Sequence, residues 1–325
     1  MTVFVTGASG HIGANLVREL IRRKRPVRAL IHKDTRGVEG LDIDVIKGDI
    51  LDYPSLVKAM RGCDVVYHLA ARISIIGDRQ GMVRRVNVTG TQNIITASQE
   101  CGIRRLIHFS SIHAYCPYPL NQCIDETRSF SNERSPAYDC SKADGAREVL
   151  EAVKNGIDAV IISPTAVIGP NDFKPSRMGQ VLLKLYHRKF ISLIKGGYDW
   201  VDARDVVRGA LLAEERAEAG SQFILSGHWS SICEIAEMIR EIRGIKPPFF
   251  TAPLWLAGLA APFSEAAAVV LKRNPLLTSE ALRALRTHQF ISRTRAEERL
   301  GYSPRPLKVT IRDTIEWLEK KGFLD

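Results

Sequence analysis

Tyr138 and Lys142, in the run Tyr138-Asp139-Cys140-Ser141-Lys142, are the pair in this chain best suited to moving a proton. On a helix, residues four apart share a face, so a phenol and an ammonium at this spacing can point into one site. A tyrosine of ordinary acidity is a poor proton shuttle at neutral pH. A positive charge about 4 Å away, at an effective dielectric of about 20, favours phenolate by about 4 kcal/mol, or roughly three pKa units. The expectation is therefore a phenol titrating at about 7, able to give or take a proton. A surface tyrosine beside a surface lysine would satisfy the same spacing, so the pair draws its meaning from its surroundings.

Two neighbouring patterns supply them. Ser110-Ser111 closes the apolar run that begins at Leu106. A hydroxyl at the carboxyl end of such a strand can hydrogen-bond a substrate carbonyl and hold it towards the tyrosine, although Ser111 could equally satisfy a loop or cap a helix. Thr6-Gly7-Ala8-Ser9-Gly10-His11-Ile12-Gly13 follows the first apolar run, Val3-Phe4-Val5, and opens a helical pattern. Glycines there let backbone N–H groups and a helix N-terminus approach a pyrophosphate closely. The spacing is G-x-x-G-x-x-G rather than G-x-G-x-x-G, and a tight turn without a ligand would use the same residues.

The elements that must position these groups alternate. Strands are expected at 3–5, 27–31, 45–47, 65–69, 106–110 and 159–163, with helices at 12–23, 52–60, 83–101 and 136–155. Short apolar strands separated by helices call for a parallel sheet covered on both faces. After Pro170 helices dominate, at about 177–187, 203–215, 231–243, 254–271, 279–285 and 309–321, with one more strand, Gln222–Leu225, expected to return to the sheet. The expected fold is α/β, a Rossmann-type doubly wound parallel sheet with a smaller, mainly helical C-terminal substrate domain. Residues 1–170 would form the dinucleotide-binding domain, with 200–228 returning to it. Residues 171–199 and 229–325 would form a lid, with the cleft above the carboxyl ends of the strands.

Composition narrows the class. The 325 residues are 45% apolar and 25% charged, an ordinary globular balance. The net charge of +10 would suit nucleic acid, an anionic membrane or a phosphate-rich cofactor. The densest basic run, Arg22-Arg23-Lys24-Arg25, falls where the first helix ends and complements its dipole. No basic stripe interleaved with aromatics and no zinc spacing points to nucleic acid, and no metal site is expected. Six cysteines without a C-x-x-C pair read as reduced thiols, in keeping with a cytoplasmic protein. Leu254–Leu271 is very apolar but contains Pro262, Ser264 and Glu265. It reads as buried or interfacial helix, leaving room for peripheral membrane contact, rather than as a transmembrane span.

Together these segments resemble an extended short-chain dehydrogenase/reductase, of the NAD(P)-dependent epimerase/dehydratase superfamily. Matching stretches are Thr6–Gly13, Gly48–Ile50, His68–Ala71, Asn87 with Gly90-Thr91, Ser110-Ser111, Tyr138–Lys142, Pro164–Pro170 and Trp200–Val206. The resemblance implies an oxidoreductase in which Ser111, Tyr138 and Lys142 act on the substrate oxygen and Lys142 also binds the nicotinamide ribose. It places Gly7, Ser9, Gly10, His11, Ile12 and Gly13 at the pyrophosphate, Asp49 and Ile50 at the adenine, and Leu69, Ala70 and Ala71 along the ribose and pyrophosphate. Pro164 and Thr165 would lie near the nicotinamide. Asn87 would hold a helix and a water-linked proton path, or serve as a buried structural amide. A homodimer through a four-helix bundle beside Val83–Cys101 and Pro136–Asn155 is a further implication of the resemblance.

The second strand's end should set cofactor preference. His32 stands where an NAD enzyme presents an acid, and Lys33 and Arg36 follow, favouring the 2′-phosphate of NADP(H) over NAD(H). Asp34 could instead bend back to the ribose of NAD. Sugar dehydratases of the family resemble one another in an Asp-Glu pair after the serine, where this chain has Ile112-His113-Ala114-Tyr115. Many epimerases carry Arg-x-Phe-Asn where this chain has Ser163-Pro164-Thr165-Ala166. The stretch Gly169–Ser176 is similar instead to the dihydroflavonol-reductase-like and 3β-hydroxysteroid-dehydrogenase-like branches. The reading is thus a reductase or dehydrogenase of a small, fairly apolar carbonyl or alcohol, with His113, Phe173 and Trp200 as candidate substrate contacts. A nucleotide-sugar epimerase with tightly held NAD and a catalytically silent cofactor-binding scaffold are the competing readings.

Overall fold

The computed structural model describes residues 1–74, 77–78, 80–271, 278–287 and 289–324; positions 272–277, 288 and 325 of the expected lid lie outside them. The first half alternates as expected: β1 (Val3–Thr6), α1 (His11–Arg22), β2 (Val27–Ile31), β3 (Asp44–Lys47), α2 (Tyr53–Met60) and β4 (Val65–His68). Then come α3 (Met82–Arg84), a π-helical turn at Arg85–Thr89, α4 (Gly90–Glu100), β5 (Arg105–Phe109), α5 (Ala137–Lys154) and β6 (Ala159–Pro164).

The second half runs β7 (Ala166–Ile168), α6 (Arg177–Tyr186), β8 (Leu193–Ile194), β9 (Gly197–Asp202), α7 (Ala203–Arg216) and β10 (Gln222–Leu225). It continues with β11 (His228–Ser231), α8 (Ile232–Arg243), β12 (Thr251–Ala252), α9 (Leu254–Leu271), α10 (Ser279–Ala284), α11 (Thr294–Leu300) and α12 (Leu307–Lys320).

Seven strands form one parallel sheet in the order β10-β6-β5-β4-β1-β2-β3. The strand order reverses between β1 and β4, which opens a crevice at their carboxyl ends. Alternating side chains feed two cores. Val3 and Val5 pack with Leu16 and Leu20 of α1 and Val206 and Ala210 of α7 on one face. Phe4 packs with Leu56 of α2, Ile94 of α4 and Val149 of α5 on the other. Truncating one such fully buried leucine to alanine would cost about 2–5 kcal/mol. A third core, around Trp200, Ile235 and Ile311, gathers α6, α8, α10 and α12.

The structure departs from expectation in short elements. The helix expected over 83–101 is broken by the π-turn at Arg85–Thr89. This widened turn leans on Gly145 of α5, where a Cβ would lie 2.8 Å from the Asn87 carbonyl oxygen. β7, β9 and β11 form a separate three-stranded sheet, and β8 pairs with β12. Strands of two to six residues with glycine and aspartate among them leave too little periodicity to read. Among the described residues no helix is long and apolar enough to cross a membrane.

Candidate active site

The glycine-rich turn is built for close approach. Gly7 sits at φ +69°, and a Cβ there would meet the Ala70 nitrogen at 2.7 Å. A Cβ on Gly13 would lie 2.2 Å from the Gly7 carbonyl oxygen. Gly10 precedes α1 in an extended conformation, with no side chain capping the helix N-terminus. A dinucleotide pyrophosphate fits this cradle because nothing bulky stands between it and the helix N–H groups. His11 anchors the turn to the second half of the chain, its Nε2 donating to the Gly169 and Pro170 carbonyls at 3.1 Å each.

A cavity of about 420 Å³ opens above the crevice. It brings together Gly7, Gly10, His11, Ile12, Gly13, Leu69 and Ala71 with Ser111, His113, Tyr138, Lys142, Pro164 and Thr165. These positions come from the ends of β1, β4, β5 and β6 and the first turns of α1 and α5, so the parallel sheet itself assembles them. Ser9 and Ala70 support the turn from beside the cavity. The Ser9 backbone abuts Gly37, and the Ala70 N–H donates to Thr6 Oγ1 at 3.2 Å.

Lys142 is buried, and Tyr138 is partly exposed where it lines the cavity. The Lys142 ammonium donates to the Phe109 carbonyl at 2.7 Å, and burial pulls its pKa down to about 8. Burial pushes the Tyr138 phenol up to about 12, while its hydrogen bond with Ser111 pulls down and the Asp139 carboxylate pushes up. The phenol titrating near neutrality that the spacing suggested is therefore not found. Desolvation of the phenolate is the largest cause, and the cation expected to offset it is directed at the Phe109 carbonyl. Ser111 Oγ also accepts from the His113 N–H at 3.2 Å, capping the short turn after β5.

Asn87 is buried and is not among the residues that line the cavity. Its Oδ1 accepts from the Arg72 N–H at 2.7 Å, and its Nδ2 donates to the Arg72 carbonyl and to Ser141 Oγ. The amide ties the β4 loop and the π-turn to α5, one residue before Lys142. Ile50 is buried against Gly90, and Asp49 Oδ1 accepts from the Leu51 N–H. At the end of β2, His32 lies 3.5 Å from Asp49, Lys33 is exposed, and Arg36 forms a two-pronged pair with Asp34.

Two candidate substrate residues lie elsewhere. Phe173 packs edge-on against Trp317, with the Arg18 guanidinium 4.8 Å from its ring centre. Trp200 is fully buried in the third core and donates to the Ser230 carbonyl at 2.9 Å. Its neighbour on the same strand face, Tyr198, is the aromatic that lines the cavity. His113 does line it, with its ring edge-on to Tyr138 at 5.8 Å and Nδ1 3.2 Å from Asp139. Arg177, Met178, Asp199 and Ile291 also line it and escaped the sequence reading. Tyr198 was the findable one, since it alternates with Trp200 along one strand.

The sequence model of the NAD dependent epimerase/dehydratase family matches residues 3–225. The chain belongs to that family. It is 31% identical to the "Sterol demethylase protein B" of Methylococcus capsulatus, over the whole of both chains. It is 32% identical to a "Putative dihydroflavonol 4-reductase" of Synechocystis, over 99% of this chain and 95% of that one. A solved structure described as gox2253 superposes with a TM-score of 0.86 at 29% identity, covering 100% of this chain and 99% of the other. The protein is accordingly an NAD(P)-dependent oxidoreductase of the extended short-chain dehydrogenase/reductase type.

Proposed function

We propose that the protein is an NADP(H)-dependent reductase of a small, fairly apolar carbonyl compound, using Ser111, Tyr138 and Lys142. The bound nicotinamide would supply the hydride. Ser111 orients the carbonyl oxygen, and Tyr138 donates a proton to it as negative charge develops there. Lys142, pinned by the Phe109 carbonyl, supplies a fixed positive charge to the same cavity. The observation carrying this reading is that Ser111, Tyr138 and Lys142 line one cavity together with Gly7, Gly10 and Gly13 of the phosphate turn. The similarity to a putative dihydroflavonol 4-reductase supports the reductive direction. The apolar side chains of Ile73, Ile112, Val167, Met178 and Ile291 around the cavity support a substrate poorer in hydroxyls than a sugar nucleotide.

The test is net NADPH consumption across a panel of apolar ketones, with Tyr138→Phe alongside. Turnover should fall by about 100- to 10,000-fold in the variant while cofactor affinity stays within about threefold. An epimerase would consume no NADPH, and a Tyr138→Phe enzyme with wild-type turnover would dismiss the assignment of the acid.

A further inference from the structure

One outer edge of the molecule is unusually apolar. Ile191 is 96% exposed, Phe249 89% and Phe250 76%, and Trp255 and Leu259 on α9 are also exposed. The β8–β12 pair sets the Ile191 segment beside Phe249 and Phe250, the Leu193 N–H donating to the Phe250 carbonyl at 3.0 Å, and α9 starts two residues after β12. Trp255 and Leu259 are four apart and share one face of α9. A soluble monomer seldom leaves so much large apolar surface together unless something covers it.

Charge decides what does. The two segments that carry the patch, residues 187–196 and 244–262, contain Arg188, Lys189, Lys195 and Lys246 and no carboxylate. All four cations are exposed, and none enters an ion pair among the described residues. Pairing this face with itself across a two-fold axis would set cations against cations. Phenylalanine and tryptophan rimmed by lysine and arginine complement an anionic leaflet instead.

The patch also connects with the site. The main cavity shares Tyr138, Met178 and Tyr198 with a second of about 140 Å³. The second shares Val181, Tyr198 and Ala281 with a third of about 100 Å³. The third is bounded by Phe190, Ser192, Leu193 and Ile194, the segment that exposes Ile191. A file of spaces thus leads from the phenol to the apolar edge, the two ends mainly apolar and the middle one walled also by Arg177, Glu280 and the Arg283–Asp139 pair.

We propose that this edge docks on an anionic lipid surface, and that an apolar carbonyl substrate dissolved in the lipid reaches Tyr138 along this file. The second half of the statement rests on the reductase reading; the first does not. Flotation with phosphatidylcholine vesicles, with and without phosphatidylglycerol, tests the docking without any turnover. The protein should float with the anionic vesicles, and high salt should weaken this. Combined Phe249→Ser, Phe250→Ser and Trp255→Ser substitutions should lower the bound fraction by at least about tenfold with the thermal melt unchanged. Absence of flotation, equal flotation of the variant, or a patch-dependent dimer that ignores vesicles would each overturn the docking. With docking established, reduction of a long-chain ketone carried in vesicles should fall in the variant while a short water-soluble ketone is turned over normally. Equal loss or no loss on both ketones would overturn the delivery route. A wild type that reduces neither ketone yet floats would instead dismiss the reductase reading.

Discussion

The Lys142 ammonium donates to the Phe109 carbonyl at 2.7 Å, so the cation on α5 is pinned to the last residue of β5, two positions before Ser111. One hydrogen bond therefore sets the spacing between the strand end that carries the serine and the helix that carries the tyrosine. It also keeps a charge where burial disfavours it.

That conflict predicts a pH profile. With its pKa pulled down to about 8, Lys142 is charged at neutral pH and loses its proton just above. Carbonyl reduction, measured as kcat/KM, should be flat through neutrality and decline as pH rises through about 8, while Tyr138 remains protonated. Lys142→Arg should move this decline well upward, because a guanidinium does not titrate there. A decline unchanged in the arginine variant would assign it to another group.

The same residue couples stability to pH. Between about 8 and the ordinary lysine value, the unfolded chain binds the Lys142 proton and the folded chain does not, so this group makes stability rise with pH across that window. Below it the buried charge is carried at full cost. Lys142→Met removes the charge but strands the Phe109 carbonyl, for a net gain of about 1–2 kcal/mol at neutral pH. Thermal melts should show a more stable protein, and turnover assays a nearly dead one. A variant melting below wild type at pH 7 would contradict the burial cost.

Cofactor choice should turn on Arg36. Its pair with Asp34 lies on the surface, where such pairs contribute little, so a 2′-phosphate can draw the guanidinium across. Gly37, directly after it, packs without a side chain against the Ser9 backbone, which brings this loop up to the phosphate turn. Arg36→Ala should raise KM for NADPH by about tenfold and leave NADH within about twofold. Equal effects on both cofactors would remove Arg36 from the 2′-phosphate.

Much of this was legible in the sequence, for a reason that also marks where legibility ends. The glycine turn, Ser111, and the Tyr138–Lys142 pair are local patterns placed by a regular strand–helix alternation. Tyr198, Arg177 and Ile291 reach the same cavity from β9, α6 and the loop before α11, brought together only by tertiary packing. The acidity of Tyr138 failed for a similar reason. The attraction of a cation follows from spacing, whereas desolvation depends on everything that covers the pair. Phe173 and Trp200 misled because an aromatic side chain fits a core as readily as a pocket.

Glycine substitutions separate cradle from surface. A Cβ on Gly13 would press on the Gly7 oxygen at 2.2 Å and the Ala8 Cα at 2.8 Å, both backbone atoms that cannot swing aside. Gly13→Ala should destabilise by about 1–3 kcal/mol and abolish cofactor binding. Gly258→Ala on α9, with open space around it, should be neutral or stabilise by about 0.5–1 kcal/mol. Calorimetry and cofactor titration on both variants check this, and normal cofactor affinity in Gly13→Ala would refute the cradle.

Arg283 of α10 reaches across the cavity to the residue beside the phenol, donating to Asp139 Oδ2 at 2.6 Å, while His113 Nδ1 lies 3.2 Å from Asp139 Oδ1. The carboxylate thus ties the helix over the second cavity to α5 and the turn after β5. It also pushes the Tyr138 phenol up. Arg283→Met would leave Asp139 buried with less compensation, and truncating one partner of such a pair costs about 3–5 kcal/mol when buried and less at this half-exposed one. Asp139→Asn should lower the phenol pKa by removing a like charge, shifting the alkaline phenolate titration of the folded protein downward in ultraviolet difference spectra. It should also raise KM for the ketone about tenfold without weakening NADPH, because the tie positions the lid and not the glycine turn. A loss of NADPH affinity equal to that of the ketone would mean that Asp139 organises the cofactor side instead.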